Sequence, residues 1–315
     1  MARDTIPDTL GRAEPLTPDR PLAFKLVRSL RPAQWTKNLI IFAALLFGHR
    51  LLDPESVVRS LLAFAVFCGL SGVVYLVNDV ADREADRRHP IKRTRPIASG
   101  ALSAGTALTA AGLIAGTALA AAFWLRPLFG ALASAYVLLM ALYSGPLKQI
   151  VIIDVLTIAV GFVIRAAAGA VAIAVPISHW LYVLTILLAL FLALSKRRHE
   201  LVLLADGAGG HRRILQEYSP YLLDQMISVV TASTLLAYAF YTVSPETIEK
   251  FGTDLLGLTL PFPLYGIFRY LYLVHQREGG GSPAEMLLTD RPLLVCVGLW
   301  ALTVATIIYL PGRLG

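Results

Sequence analysis

Asn78, Asp79, Asp82 and Asp86 form the pattern N-D-x-x-D-x-x-x-D directly after a long apolar run. Spacings of three, four and seven put side chains on one face of a helix. Carboxylates there repel one another, and a divalent cation removes that penalty. Mg²⁺ fits: it is a hard ion that takes oxygen ligands and shares itself between one or two carboxylates and substrate phosphates. The pattern therefore reads as a cradle for a metal-bound diphosphate. Asp79, Asp82 and Asp86 are the expected catalytic metal ligands, and Asn78 orients the set. The competing reading is a solvated turn whose acids pair with Arg83, Arg87 and Arg88. Its place at the mouth of an apolar helix favours the functional reading, because ionisable groups at membrane depth mark sites.

Cations follow at once: Arg87, Arg88, His89, Lys92, Arg93 and Arg95. They suit lipid headgroups, or the phosphate oxygens that a metal leaves uncovered. The interleaved acids favour phosphate. A second cationic cluster, Ser195-Lys196-Arg197-Arg198-His199-Glu200, closes a later apolar run. Arg carries a planar fork matched to phosphate, although a plain positive-inside anchor explains such a cluster too. Arg165, alone in GFVIRAAAG, is expensive inside a membrane and must face the interior and a partner. Asp154 on the same run is a candidate partner or a further polar wall. Arg269, in GIFRYLYLV, is a similar oddity. Lys37, Lys148, Lys196, Arg197 and Arg165 are the candidate phosphate contacts. Lys92, Arg93 and Arg95 are candidates for the donor's phosphates. Glu200, Tyr143, Tyr218 and Asp290 are further pocket candidates that helix-end or loop polarity explains equally well.

These residues need elements to hold them. The chain is 56% hydrophobic and 16% charged, against roughly 25% charged in soluble domains. Apolar runs recur along it, many long enough to cross a hydrocarbon core about 30 Å thick. They are continuous rather than alternating, so the expected fold is all-α, a polytopic membrane bundle. Nine transmembrane helices are expected, near 36–52, 57–78, 102–124, 127–145, 151–175, 180–196, 222–243, 257–275 and 292–310. Residues 1–22 read as a disordered cytoplasmic tail, and 23–315 as one intramembrane domain. Lys and Arg concentrate in one set of connections, which places that face and the N-terminus in the cytoplasm and the C-terminus outside. The Ala/Gly-rich runs 101–122 and 161–174 suit close helix packing. Trp35, Trp124, Trp180 and Trp300 suit interfacial belts. Cys68 and Cys296 sit in apolar runs as inert thiols. The net charge of +7 fits anionic substrates and anionic membrane lipids alike. No nucleic-acid partner is expected, and the helix surfaces leave room for a homo-oligomer.

The acidic pattern, followed by H-P-x-K-R-x-R-P-I-A-S-G, resembles the UbiA-type intramembrane prenyltransferase superfamily. The segments R-P-x-Q-W-x-K-N at 31–38, Y-S-G-P-L-K at 143–148, S-K-R-R-x-E-L at 195–201 and G-G-x-S-P-A-E…D-R-P within 277–292 resemble its decaprenyl-phosphate phosphoribosyltransferase branch. The likeness runs from about residue 24 to 300. It implies a UbiA-like bundle in a bacterial inner membrane and a Mg²⁺ cofactor. It also implies phosphoribosyl pyrophosphate as donor, a polyprenyl phosphate as acceptor, and a product that feeds arabinofuranosyl donors for cell-wall or surface glycan. The superfamily's second motif is D-x-x-x-D, and here cations largely replace it. That departure puts the ordinary prenyl-diphosphate reaction in doubt and suits an anionic acceptor that is not metal-bound. An aromatic prenyltransferase is the nearest rival. A transporter and a noncatalytic scaffold explain the charged face less well, since no internal repeat is evident.

Overall fold

The computed structural model describes residues 21–88, 92–176, 179–205, 213–276, 286 and 289–309. His89, most of the 1–22 tail and most of the 277–292 motif lie outside them. The described residues form helices and no strands. In chain order these are α1 (Leu22–Ser29), a 3-10 helix (Pro32–Phe42), α2 (Ala43–Phe47), α3 (Pro54–Ala81) and α4 (Arg83–Arg88). Then come α5 (Ala104–Leu125), α6 (Pro127–Ser144), α7 (Ile153–Ala172) and α8 (His179–Ala205). The chain ends in α9 (Pro220–Val243), α10 (Pro245–Phe251), α11 (Pro261–Gln276) and α12 (Arg291–Tyr309).

Seven of these helices are long and apolar enough to cross a membrane: α3, α5 to α9 and α12. Starts and stops follow local chemistry. Proline occupies the first turn of α3, α6 and α9, where its missing N–H leaves no bond unmade. Ser103 and Ser219 cap α5 and α9 through their side chains.

The expected spans at 36–52 and 257–275 take another form. The first is the 3-10 helix followed by α2, and the second is a 3-10 turn at Leu255–Thr259 followed by the 16-residue α11. A 3-10 helix rises about 2.0 Å per residue against 1.5 Å in an α-helix, so residues 32–47 still reach roughly 30 Å.

Helices α3 and α7 are central. Burial covers 56% and 61% of their apolar windows, against 17% to 22% for α5, α6 and α12. Small residues allow this. A Cβ on Gly169 of α7 would meet the Ile41 carbonyl oxygen at 2.2 Å, so the 3-10 helix lies directly on α7's backbone. Gly69 of α3 faces side chains of α5, with a Cβ there 3.3 Å from Ile114 and 3.8 Å from Ala118. The 161–174 run thus serves close packing, whereas in 101–122 the buried residues of α5 are Ala107, Ala111, Ala118 and Ala122, and Gly112 and Gly116 face open space. The core around Phe67, Leu70, Phe129, Tyr136 and Ala168 joins α3, α6 and α7, and a second around Phe191, Leu194, Leu223 and Tyr270 joins α8, α9 and α11. Leu113, Trp124, Leu138, Val229 and Leu302 point outward, as lipid-facing side chains do.

Candidate functional site

A cavity of 1080 Å³ runs between the two cores. At one end its wall carries Asn78, Asp79, Asp82, Lys37, Lys92, Arg95, Tyr143, Lys196, Arg197 and Glu200. Arg165 lines it further along α7. Residues far apart in sequence therefore meet, as their chemistry suggested.

The aspartates do not share one continuous helix face. Helix α3 stops at Ala81, Asp82 is its cap at φ −89° and ψ 6°, and Asp86 lies on α4. Asp79 and Asp86 are nonetheless brought together by Arg95, whose Nη1 donates to Asp86 Oδ2 at 2.6 Å and to Asp79 Oδ1 at 3.2 Å. Arg31 Nη2 donates to the same Asp79 oxygen at 2.5 Å. Asp79 and Asp86 are buried, while Asp82 is exposed toward the cavity. Burying a carboxylate is expensive unless it is paired, and these two arginines supply the pairing.

Arg31 holds a left-handed backbone, φ 53°. A non-glycine residue there is strained by about 1–3 kcal/mol, and its contact with Asp79 fixes the entrance of the 3-10 helix. Arg31 also stacks over the Tyr75 ring at 4.6 Å. Asn38, fully buried, donates to Cys68 Sγ at 3.3 Å and accepts from Ser71 Oγ at 3.4 Å. That anchor sets the turn from which Lys37 reaches the cavity.

Among the described residues no three His, Cys, Asp or Glu side chains are grouped to hold a metal ion, so Asp79, Asp82 and Asp86 do not form one ligand set by themselves. Mg²⁺ does not require one, because substrate phosphates complete its shell. Asp79, Asp82 and Asn78 present hard oxygen donors to the cavity, and this donor set fits that ion.

The second cluster behaves differently from a row of free cations. Arg197 is 1% exposed. Its Nε donates to Asp154 Oδ2 at 2.7 Å, Nη1 to Glu200 Oε2 at 2.7 Å and Nη2 to Tyr143 Oη at 2.9 Å. Asp154 Oδ1 accepts from Tyr218 Oη at 2.9 Å, and Tyr218 Oη accepts from the Ile152 N–H at 2.7 Å. Burial pushes the Tyr218 phenol up to about 12; the Ile152 hydrogen bond opposes the shift and Asp154 adds to it. The phenol thus stays a donor at any ordinary pH. Ile152 pays for this bond with φ 69°, an outlier for a β-branched residue. Asp154 therefore partners Arg197 and not Arg165. Arg197, Asp154 and Tyr218 form a buried brace that aims Tyr143 and Glu200 at the cavity. Lys196 Nζ lies 3.8 Å from Glu200 Oε1.

Arg165, 6% exposed, donates from Nη2 to Tyr136 Oη at 2.7 Å and stacks against Tyr136 and Phe162 at 4.6 and 5.0 Å. Its Nε has no hydrogen-bond partner.

Other candidates lie elsewhere. Arg269 forms a forked pair with Asp290, at 3.2 and 2.8 Å, and Asp290 accepts from the Leu293 N–H at 2.9 Å. Neither lines the cavity; together they tie α11 to the start of α12. The Arg269 hydrogen bond holds the Asp290 carboxyl below its usual value. Lys148, on the turn Leu147–Gln149, and the exposed Arg93 also lie outside the cavity wall. Arg87 is committed to Glu84 and the Ala98 carbonyl, and the exposed Arg88 is off the wall as well. Trp180 and Trp300 line the cavity rather than an outer belt, with Trp300 Nε1 donating to Tyr238 Oη at 2.9 Å. Trp124, 81% exposed, suits a belt. Sequence reasoning missed Arg31, Tyr75 and Tyr136 as site residues. Arg31 stood inside a recognised motif, whereas a hydroxyl within an apolar run gives little signal.

A family model described as the UbiA prenyltransferase family matches residues 37–289. A Mycolicibacterium smegmatis protein named decaprenyl-phosphate phosphoribosyltransferase is 32% identical over 305 residues, covering 93% of this chain and 95% of that protein. A Corynebacterium glutamicum protein of the same name is 30% identical over 299 residues, covering 93% and 89%. Among solved structures, a UbiA homolog from Archaeoglobus fulgidus bound to GPP and Mg²⁺ aligns with a TM-score of 0.68 at 20% identity, over 90% of this chain and 99% of that one. At that identity the likeness speaks for the fold.

Proposed function

The chain belongs to the UbiA prenyltransferase family, and on that footing we propose that it moves a 5-phosphoribosyl group from phosphoribosyl pyrophosphate onto a polyprenyl monophosphate. It is an integral membrane transferase by its family and its seven apolar helices. The observation that carries the substrate reading is one cavity whose Asp79 end is acidic and cationic and whose wall beyond it is mostly apolar around Arg165. Such a cavity suits a water-soluble polyphosphate and a lipid anion together. The names of the relatives point to the same substrate pair.

In this reading Asp79 and Asp82, with Asn78, would hold Mg²⁺ beside the donor's diphosphate, and Asp86 completes the acidic cluster through Arg95. The bound ion supplies neutralisation of charge on the departing diphosphate. Arg31, Arg95, Lys92 and Lys37 hold phosphate oxygens of the donor and keep them in place as charge develops. The bond from ribose C1 to the diphosphate breaks, and its electron pair leaves with the diphosphate. An oxygen of the acceptor phosphate forms the new bond to C1 from the opposite face. That oxygen is already anionic, so no general base is needed. Arg197 acts through Tyr143 and Glu200, and Lys196 adds charge beside them. The protein's main contribution is to hold two anions at bonding distance despite their repulsion.

The remainder of the proposal concerns placement and use. Residues 23–315 act as one unit that crosses the membrane nine times, counting the 3-10/α2 segment and α11. The Asp79 end faces the cytoplasm, in a bacterial inner membrane, and the C-terminus lies outside. The product supplies an arabinofuranosyl donor for cell-wall or surface glycan.

The test is transfer of radiolabel from phosphoribosyl pyrophosphate to polyprenyl phosphate by purified protein, with and without EDTA. The expected result is a lipid-extractable product that requires Mg²⁺. Absence of that product, with turnover of a prenyl diphosphate and an aromatic acceptor, overturns the proposal in favour of an aromatic prenyltransferase.

A further inference from the structure

Three arginines on the cavity wall, Arg31, Arg95 and Arg197, each touch a carboxylate. Arg165 does not: among the described residues its polar contacts are Tyr136 Oη and, at 3.5 Å, the Gly161 carbonyl. It carries a full charge that no anion of the described protein balances. It lies twelve residues into α7 from Ile153, roughly 18 Å along the helix and thus near the membrane's middle. An unbalanced cation at that depth is expensive. It is also one-tenth exposed at most, with an orphaned Nε, on the wall of a cavity.

We propose that Arg165 seats the acceptor's phosphate: the isoprenoid monophosphate lies head on Arg165, deep in the cavity, while the donor occupies the Asp79–Lys92–Arg95 mouth. This assignment rests on the substrate pair proposed above. Two physical arguments separate the ligands. A polyphosphate donor would lose much hydration on entering a wall made of Tyr136, Phe162, Met140 and Ile158. An amphiphile carries one phosphate there and regains the loss by burying its tail. The wall beyond Arg165 suits that tail, with Leu184, Leu188, Phe262 and Trp300. Tyr75 links the two regions, since Arg31 stacks on its ring at 4.6 Å and Tyr75 lines the same cavity as Arg165. Tyr136 is then a positioning residue that points the Arg165 fork through one hydrogen bond.

The experiment measures binding of farnesyl monophosphate, farnesol and Mg²⁺–phosphoribosyl pyrophosphate to detergent-solubilised protein by calorimetry. Arg165→Met, Arg165→Lys and Tyr136→Phe are compared with the wild type. Arg165→Met is expected to weaken farnesyl monophosphate by about tenfold or more, the scale of a charge-assisted hydrogen bond. Farnesol and the donor should stay within about twofold, and the melting temperature should not fall, because an apolar side chain replaces an unpaired buried charge. Arg165→Lys should recover part of the loss and Tyr136→Phe should show a smaller one. Unchanged monophosphate binding in Arg165→Met, or an equal loss of donor binding, overturns the assignment. If Arg165→Met does not fold, Arg165→Lys decides: a loss confined to the monophosphate supports the assignment, and no loss overturns it. Wild-type protein that binds neither phosphate ligand overturns the phosphoribosyl reading, and this assignment with it.

Discussion

Asp79 and Asp82 are three residues apart and carry the same functional group, yet their surroundings give them different duties. Asp79 is buried under two guanidinium groups, whereas Asp82 is exposed at the kink after α3. Asp82→Asn should therefore leave thermal stability near that of the wild type while lowering Mg²⁺-dependent transfer by about 10²-fold or more. Asp79→Asn should lower both, because it takes away the carboxylate that Arg31 holds and one of the two that Arg95 holds, Asp86 remaining to Arg95. Chemical denaturation in detergent beside initial rates separates the two cases. Equal stability losses in both variants would contradict the burial difference. The same logic explains Arg197, which reads as a phosphate cation in sequence and acts as a buried brace in the fold.

At the scale of elements, the 3-10 helix Pro32–Phe42 positions Arg31 and Lys37, and it can lie where it does because α7 offers a bare backbone at Gly169. Gly169→Ala puts a Cβ 2.2 Å from the Ile41 carbonyl oxygen, a contact that only movement of backbone relieves. The expected outcome is a loss of about 1–3 kcal/mol with a raised KM for the donor, read by thermal shift and steady-state kinetics. An unperturbed KM would mean that Lys37 and Arg31 do not depend on this contact. The α11–α12 junction makes a prediction about pH. Asp290 has its pKa lowered by Arg269 in the folded protein. Its contribution is thus present above the unfolded value of 3.8 and is lost as pH falls through the lower folded value. The stability gap between wild type and Asp290→Asn should hold at neutral pH and shrink below about pH 4. A gap that widened on acidification would refute the ion pair as its source.

For the whole molecule, most charged residues of the cavity gather at the Asp79 end, Arg165 lies further in, and the other end carries Glu246 and Lys250 on α10. Burial pushes the Lys250 ammonium down, with Glu246 opposing the shift. The two ends are unequal in charge, and under the proposed orientation the donor enters at the Asp79 end. Inside-out membrane vesicles should incorporate label from external phosphoribosyl pyrophosphate at least about tenfold faster than right-side-out vesicles, as the positive-inside orientation requires. Equal rates, or the reverse order, would invert the orientation.

The amino-acid order by itself determined that the chain spans membranes in helices, because continuous apolar runs admit no other solution in lipid. It also marked the charged stretches 78–95 and 195–200, which stand out against an apolar background and several of whose residues the fold brings to one cavity wall. Spacing alone did not decide which charge meets which. Asp154 lay eleven residues from Arg165 in the chain, yet it pairs with Arg197 from another helix. Arg269 and Asp290 satisfy each other away from the cavity. Two of the expected spans became 3-10 and α segments: the first starts at Pro32 and lies on α7, and the second is broken before Pro261, where α11 begins. Partner choice in a low-dielectric interior depends on distances of a few ångströms between helices. Those distances are set by which small residues let two backbones approach, and only the tertiary structure contains them.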